Sequence, residues 1–229
     1  DVKGTYDRFA RCTHGALIRN DFEWMEYWRW ENEEERTAAV YYDAKDIPQG
    51  FLLYWVEEDV FHIREMVYLT QEARKGLWNF IRAHYSMIDA VKGHIYTGEP
   101  LAFLLDESQI QETIEPYFMA RIVDVAQFLR LYPFEGSIRP FHFVVTDPMA
   151  EWNNGIFSVA TDREGTVSVT DEPAGKAVEL DIQTLSAMLM GYKRPSYLAR
   201  IERLHTDKRT LRLLEEIIPD GQPYFSDYF

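Results

Sequence analysis

The 229-residue chain has a single cysteine, Cys12. One thiol makes no internal disulfide and no cysteine-based zinc site, and its scarcity fits a reducing, cytoplasmic setting. Basic residues are outnumbered, 24 Lys and Arg against 38 Asp and Glu, for a net charge of −14. General nucleic-acid binding needs a basic face to displace counterions, so that class is set aside. An acidic chain suits a cationic, amine-bearing ligand instead. No apolar run approaches the roughly 18 residues of a membrane-spanning helix. His14, His62, His84, His94, His142 and His205 fall in no compact ligand spacing, so no metal site is expected. The phosphate loop GxxxxGK(S/T), the dinucleotide GxGxxG and the nucleophile elbow GxSxG are missing too.

What is present is apolar and aromatic. Hydrophobic residues make up 46% of the chain, with 14 Phe, 14 Tyr and 6 Trp, which excludes disorder and points to one large domain or two small ones. The pattern divides near Pro116-Tyr117, into residues 1–117 and 118–229. The first part predicts a helix over 2–14 stopped by Gly15, then a helix from Phe22 to Trp30 with Asp21 as its N-cap. Strands follow at Thr37–Tyr42, Phe51–Val56 and Val60–Leu69, then a helix over 72–86 and a strand at Val91–Thr97. The second part opens with a helix, Val123–Leu131, closed by Pro133. Strands at Arg139–Thr146, Gly155–Ala160, Thr166–Thr170 and Ala177–Leu180 precede helices at Ile182–Met190, Ser196–Leu204 and Lys208–Ile218. Both parts read as α+β, the first with a mixed sheet.

Few side chains stand out as chemistry. Glu65, on a strand, is either a base for an amine or half of an ordinary ion pair. Trp24 and Trp28 are four apart on one helix face, which makes them core or the wall of a ligand cleft. Cys12 reads as structural. Tyr224, Phe225, Tyr228 and Phe229 put four aromatics into the last six residues. Such a segment is expected to dock. Docking would either seal the core of the second half or hold the terminal carboxylate at one fixed place, where it could serve as a base.

These residues resemble a known family. Tyr6-Asp7-Arg8-Phe9, Thr13-His14-Gly15-Ala16-Leu17-Ile18-Arg19, Trp24, Gly76-Leu77-Trp78, Tyr96-Thr97 and Leu104-Leu105 are similar to the central domain of the enhanced intracellular survival family. Thr146-Asp147-Pro148, Trp152-Asn153-Asn154-Gly155, Glu179-Leu180-Asp181-Ile182, Leu189-Met190-Gly191 and Tyr228-Phe229 resemble its C-terminal domain. The resemblance covers essentially the whole chain. It implies a GNAT-like mixed-sheet domain over 1–117, followed by a sterol-carrier-like α+β domain over 118–229.

The resemblance also implies an activity. The family acetylates amines with acetyl-CoA, in some members aminoglycosides, and assembles as hexamers. Its acetyl-CoA loop sits in a first domain that this chain, opening Asp1-Val2-Lys3-Gly4, is expected to lack. That missing acetyltransferase domain is then an expected partner, with a cationic amine as substrate and a homo-oligomer as the assembly. The Phe229 carboxylate is implied as general base, with Trp24, Phe9 and Tyr228 at the substrate cleft. One departure concerns the cofactor. A working loop reads Gln/Arg-x-x-Gly-x-Gly/Ala, and here Gln71 fits but Arg74 replaces the central glycine, with Gly76 at the end. A side chain at 74 would block close backbone approach, so this half is not expected to bind acetyl-CoA. Arg74 and Lys75 either touch phosphates from outside or are solvated. The competing reading is a non-catalytic lipid-binding or interaction module, with Leu185, Met188, Leu189 and Met190 lining a tunnel rather than filling a core.

Overall fold

The computed structural model describes residues 1–31, 37–94, 101–105, 109–161 and 166–227. The chain forms two compact units, Asp1–Thr113 together with Pro223–Phe229, and Ile114–Gln222. The sequence-based division at 117/118 thus shifts by a few residues. The larger change is that the last residues join the first unit rather than the second. Composition marks neither crossing; the partners that draw the tail are polar and are described below.

The first unit opens with helix α1 (Val2–Ala10), which buries Thr5, Tyr6 and Ala10 along one side. Helix α2 (Asp21–Glu31) starts one residue earlier than expected, because Asn20 and not Asp21 is its cap. The Asn20 side chain accepts from the amides of Phe22 and Glu23, and the Glu23 carboxylate accepts from the Asn20 amide. This reciprocal pair satisfies amides that a helix start leaves without partners. Strands β1 (Thr37–Tyr42), β2 (Pro48–Glu57) and β3 (Val60–Tyr68) form an antiparallel meander. Helix α3 (Gln71–Arg82) then crosses over to β4 (Ala90–Gly93), which pairs parallel to β3. Ala73, Leu77 and Ile81 form the buried stripe of α3, each four residues from the next. A short α4 (Leu101–Leu104) follows. The expected strand over 91–97 is seen to Gly93, and residues 95–100 lie outside the described ones.

The second unit runs α5 (Val125–Leu131), β5 (Phe141–Thr146), a single 3₁₀ turn (Glu151–Asn153), β6 (Gly155–Thr161), β7 (Val167–Thr170) and β8 (Lys176–Asp181). Helices α6 (Ile182–Leu189), α7 (Pro195–Arg200) and α8 (Lys208–Ile217) complete it. The sheet order is β7-β6-β5-β8, with β8 parallel to β5 and the other pairs antiparallel. Its core joins Phe141, Phe143, Val145, Val159 and Val178 of the sheet to Leu129, Leu185, Leu189 and Leu214 of the helices.

Asp147, just past β5, ties this unit's loops together. It is 1% exposed. Its carboxylate accepts from Arg121 at 2.6 Å, from the Asn153 amide group at 3.0 Å, and from the backbone of Met149 and Ala150. Asn153 in turn holds the Val125 amide at the start of α5. The Thr146-Asp147-Pro148 and Trp152-Asn153-Asn154 segments are therefore a structural knot. Burial pushes the Asp147 carboxyl upward, but the bonds from Asn153, Met149, Arg121 and Ala150 outweigh it and bring it down to about 2. An unfolded Asp titrates near 3.9. The stability this group contributes is therefore complete above about pH 4 and is lost as pH falls toward about 2. Asp147→Asn is expected to lower the urea midpoint at pH 7 and to flatten its decline between about pH 4 and pH 2. A series of urea titrations across that range checks both effects.

Candidate functional site: a buried receptor for the chain end

The inward residues of β3 are Phe61, Ile63, Glu65 and Val67. Strict alternation would place all four on one side of the sheet. Pairing with β2 shows otherwise. Tyr54 pairs with Ile63 while Leu53 pairs with Glu65, so Arg64 is an extra residue on β3. This bulge reverses the faces beyond it. Phe61 and Ile63 pack with Leu52, Leu77 and Ile81 on the α3 side. Val67 packs with Phe51, Leu53, Tyr6 and Trp24 on the side of α1 and α2. Glu65 is delivered to that second side, inside an aromatic core.

Arg19, between α1 and α2, meets it there. The two form an ion pair at 3.2 Å, with side chains 0% and 1% exposed. The guanidinium carbon lies 3.8 Å from the ring centre of Tyr6, 4.0 Å from Tyr27 and 4.7 Å from Trp24. A planar, weakly hydrated guanidinium suits such a box where an ammonium would not. Tyr27 donates its hydroxyl to Glu65 at 2.8 Å.

The remaining partners come from the end of the chain. Tyr224 donates to Glu65 at 3.0 Å and Ser226 at 2.6 Å. Asp227 accepts from Arg19 Nε at 2.7 Å. The Tyr224 amide donates to the His14 carbonyl at 2.9 Å, and its ring meets Phe9 edge-on at 4.8 Å. Gly15 sits beside this contact with φ +77, and a Cβ there would lie 3.4 Å from Pro223 and the Tyr224 amide. Only glycine takes that conformation without strain.

The charges settle around the arginine. Burial works against a charged Arg19, but Glu65 and Asp227 outweigh it, and its ionisation is pushed further up. Burial, and then the charge of Glu65, hold Tyr27 well above the ordinary phenol range. Burial does the same for Tyr6, so both phenols stay protonated. The cluster thus has one cation between two carboxylates, with neutral hydroxyls supplying the other bonds. Glu65 is committed to an ion pair, which decides between its two sequence readings. What this arrangement does chemically is hold residues 224–227 in place.

Other expected site residues fall as follows. Trp24 is 4% exposed and stacks on Trp28 at 5.8 Å. It walls the box around Arg19 as a buried core residue, so the expectation of an open cleft wall is corrected. Phe9 is half-buried against Tyr224. Tyr228 and Phe229 lie outside the described residues. Cys12 is exposed. Arg19 enters the sequence reading only inside a family-like stretch, and the aromatic tail is the signal that points toward Ser226 and Asp227.

The start of α3 is the place where a GNAT fold would cradle pyrophosphate, and its residues do not fit one. The Thr70 hydroxyl already accepts from the Ala73 amide. Glu72 brings a carboxylate to the first turn, held by the Tyr41 hydroxyl at 2.9 Å. A Cβ on Gly76 would collide with the Tyr41 ring. Gly76 therefore serves helix-to-strand packing, not a phosphate. In the second unit Leu185, Met188 and Leu189 are at most 1% exposed and fill the core, with Met190 packed against them. Among the described residues, no three His, Cys, Asp or Glu side chains gather to hold a metal, and no helix is long and apolar enough to cross a membrane.

Residues 15–122 match the family described as acetyltransferase (GNAT) domain, and residues 125–226 the sterol carrier protein domain. The N-acetyltransferase Eis of Mycobacterium tuberculosis is 24% identical over 97% of this chain and 55% of its own length. A probable N-acyltransferase from Enterococcus faecalis V583 is 30% identical, with a TM-score of 0.89 over 100% of this chain and 58% of the other. A GCN5-related N-acetyltransferase from Anabaena variabilis is 27% identical, with a TM-score of 0.82 over 100% of this chain and 59% of its own. The chain thus spans little more than half the length of the proteins it matches. It carries a GNAT acetyltransferase domain followed by a sterol carrier protein domain, and along nearly its whole length it is similar to the Eis N-acetyltransferases.

Proposed function

We propose that this chain is the part of an N-acetyltransferase that supplies the general base, the carboxylate of Phe229, to a cationic amine acceptor of aminoglycoside-like kind. The observation that carries the reading is the anchorage of Asp227 on buried Arg19 at 2.7 Å. Two further residues reach at most about 7 Å, so the terminal carboxylate is confined to a short radius around that anchor. A protonated amine has no lone pair to attack an acyl carbon, and a proton acceptor within hydrogen-bond reach removes that obstacle. A free α-carboxyl titrates near 3.5, and partial burial would raise it toward a useful range. The net charge of −14 favours a cationic acceptor.

Acetyl-CoA, on this reading, is bound outside this chain. The support is the start of α3, where Thr70 already caps the Ala73 amide, Glu72 brings a carboxylate to the first turn and the Tyr41 ring lies against Gly76. The lipid-carrier alternative gains nothing from Leu185, Met188 and Leu189, which are packed core. Extension of the chain by a few residues beyond Phe229 in the full-length protein tests the base. It leaves side-chain packing in place but moves the carboxylate, and kcat is expected to fall roughly 10²-fold or more. An extended, folded protein with full activity would make Phe229 structural. Calorimetry on residues 1–229 alone is expected to show no acetyl-CoA binding, and micromolar affinity there would overturn the assignment of the cofactor to another part.

A further inference from the structure

We infer that Arg19 and Glu65 are positioning residues: they form a buried receptor that reads Tyr224, Ser226 and Asp227 and so fixes where the terminal carboxylate stands. The catalytic half of this inference rests on the base reading above; the receptor half does not.

Sealing a core would not need this chemistry. Phe at 224 and Ala at 226 would cover the same apolar surface without bringing hydroxyls into it. Instead, each polar side chain of the segment is matched. Tyr224 and Ser226 both donate to Glu65, and Asp227 pairs with Arg19. Arg19 also donates to the Ser226 hydroxyl at 3.2 Å. Apolar contacts let a segment slide, whereas a buried network of paired donors and acceptors favours one arrangement. Residues 224 and 226 are two apart and reach one carboxylate, the spacing of an extended segment. A slip of one residue would turn Phe225 and Asp227 toward Glu65. That would remove two donors and set two carboxylates against each other. The network therefore selects the register of the chain end, and register decides the position of the carboxylate two residues on.

The test uses Asp227→Asn and Ser226→Ala in the full-length protein, with far-UV circular dichroism to show that each folds. Two quantities are read: the rate at which a carboxypeptidase releases Phe229 and Tyr228, and kcat with KM for an amine acceptor. Both variants are expected to speed release at least about tenfold and to lower kcat at least about tenfold, with KM within about twofold. Ser226→Ala removes one hydroxyl and little volume, so its folding is not at risk even where Asp227→Asn proves unstable. Asp227→Glu keeps the charge and is expected to recover part of the loss, which a packing role would not do. Folded variants that release the tail at the original rate would overturn the receptor, whatever extension beyond Phe229 does to kcat. Faster release with unchanged kcat would leave the receptor standing and overturn its catalytic role and the base reading together.

Discussion

A guanidinium with no access to water is the constraint on which the first unit is built. Taking such a charge out of solvent costs several kcal/mol unless opposite charge and hydrogen bonds offset it. Arg19 meets that demand from three directions: aromatic faces from α1 and α2, a carboxylate from β3, and a second carboxylate from the chain end. Removing any one contributor leaves charge or hydroxyls buried without partners, which is the more costly state. The aromatic wealth of α2, the bulge at Arg64 and the return of residues 223–227 to this unit are thus parts of one arrangement. None of them is explained by apolar burial alone.

Family-like residues turn out to do local structural work. Gly76 keeps a glycine where a phosphate loop would have one, yet here it makes room for the Tyr41 ring. Asp147 and Asn153 fasten the β5–β6 connection to the start of α5 through their side chains. A short motif retained without its neighbours is a packing solution first. The Thr70 cap and the Glu72 carboxylate show the direction taken at α3: the Ala73 amide is satisfied from within the chain, and the first turn carries a negative charge.

Much of the element order was legible from sequence because period and punctuation agree. The stripe Ala73, Leu77 and Ile81 has helical spacing, and Asn153-Asn154-Gly155 and Pro133 mark turns and ends where the structure has them. Either Asn20 or Asp21 suits the role of α2 cap in sequence, and only the reciprocal bond with Glu23 decides for Asn20. The site was far less legible. On β3 an unbroken alternation conceals a change of face, since a bulge adds one residue without altering the pattern of apolar letters. The pairing of Arg19 with Asp227 spans 208 positions, and no local rule connects them. The aromatic tail announces that the end docks; it does not say on which unit, because the partners that fix it there, Arg19 and Glu65, are polar.

The order of these residues along the chain has a consequence for assembly. Residues 223–227 follow the whole second unit, while their partners Arg19 and Glu65 precede it. During synthesis from the N-terminus, the first unit is therefore complete in its strands and helices but lacks one counter-ion and two hydroxyl donors until the second unit has been made. Contacts of such long sequence separation form late, because loop closure is unfavourable until structure shortens the intervening chain. A compact second unit shortens the chain between them in this way. The polar network around Arg19 therefore closes only when residues 223–227 are in place.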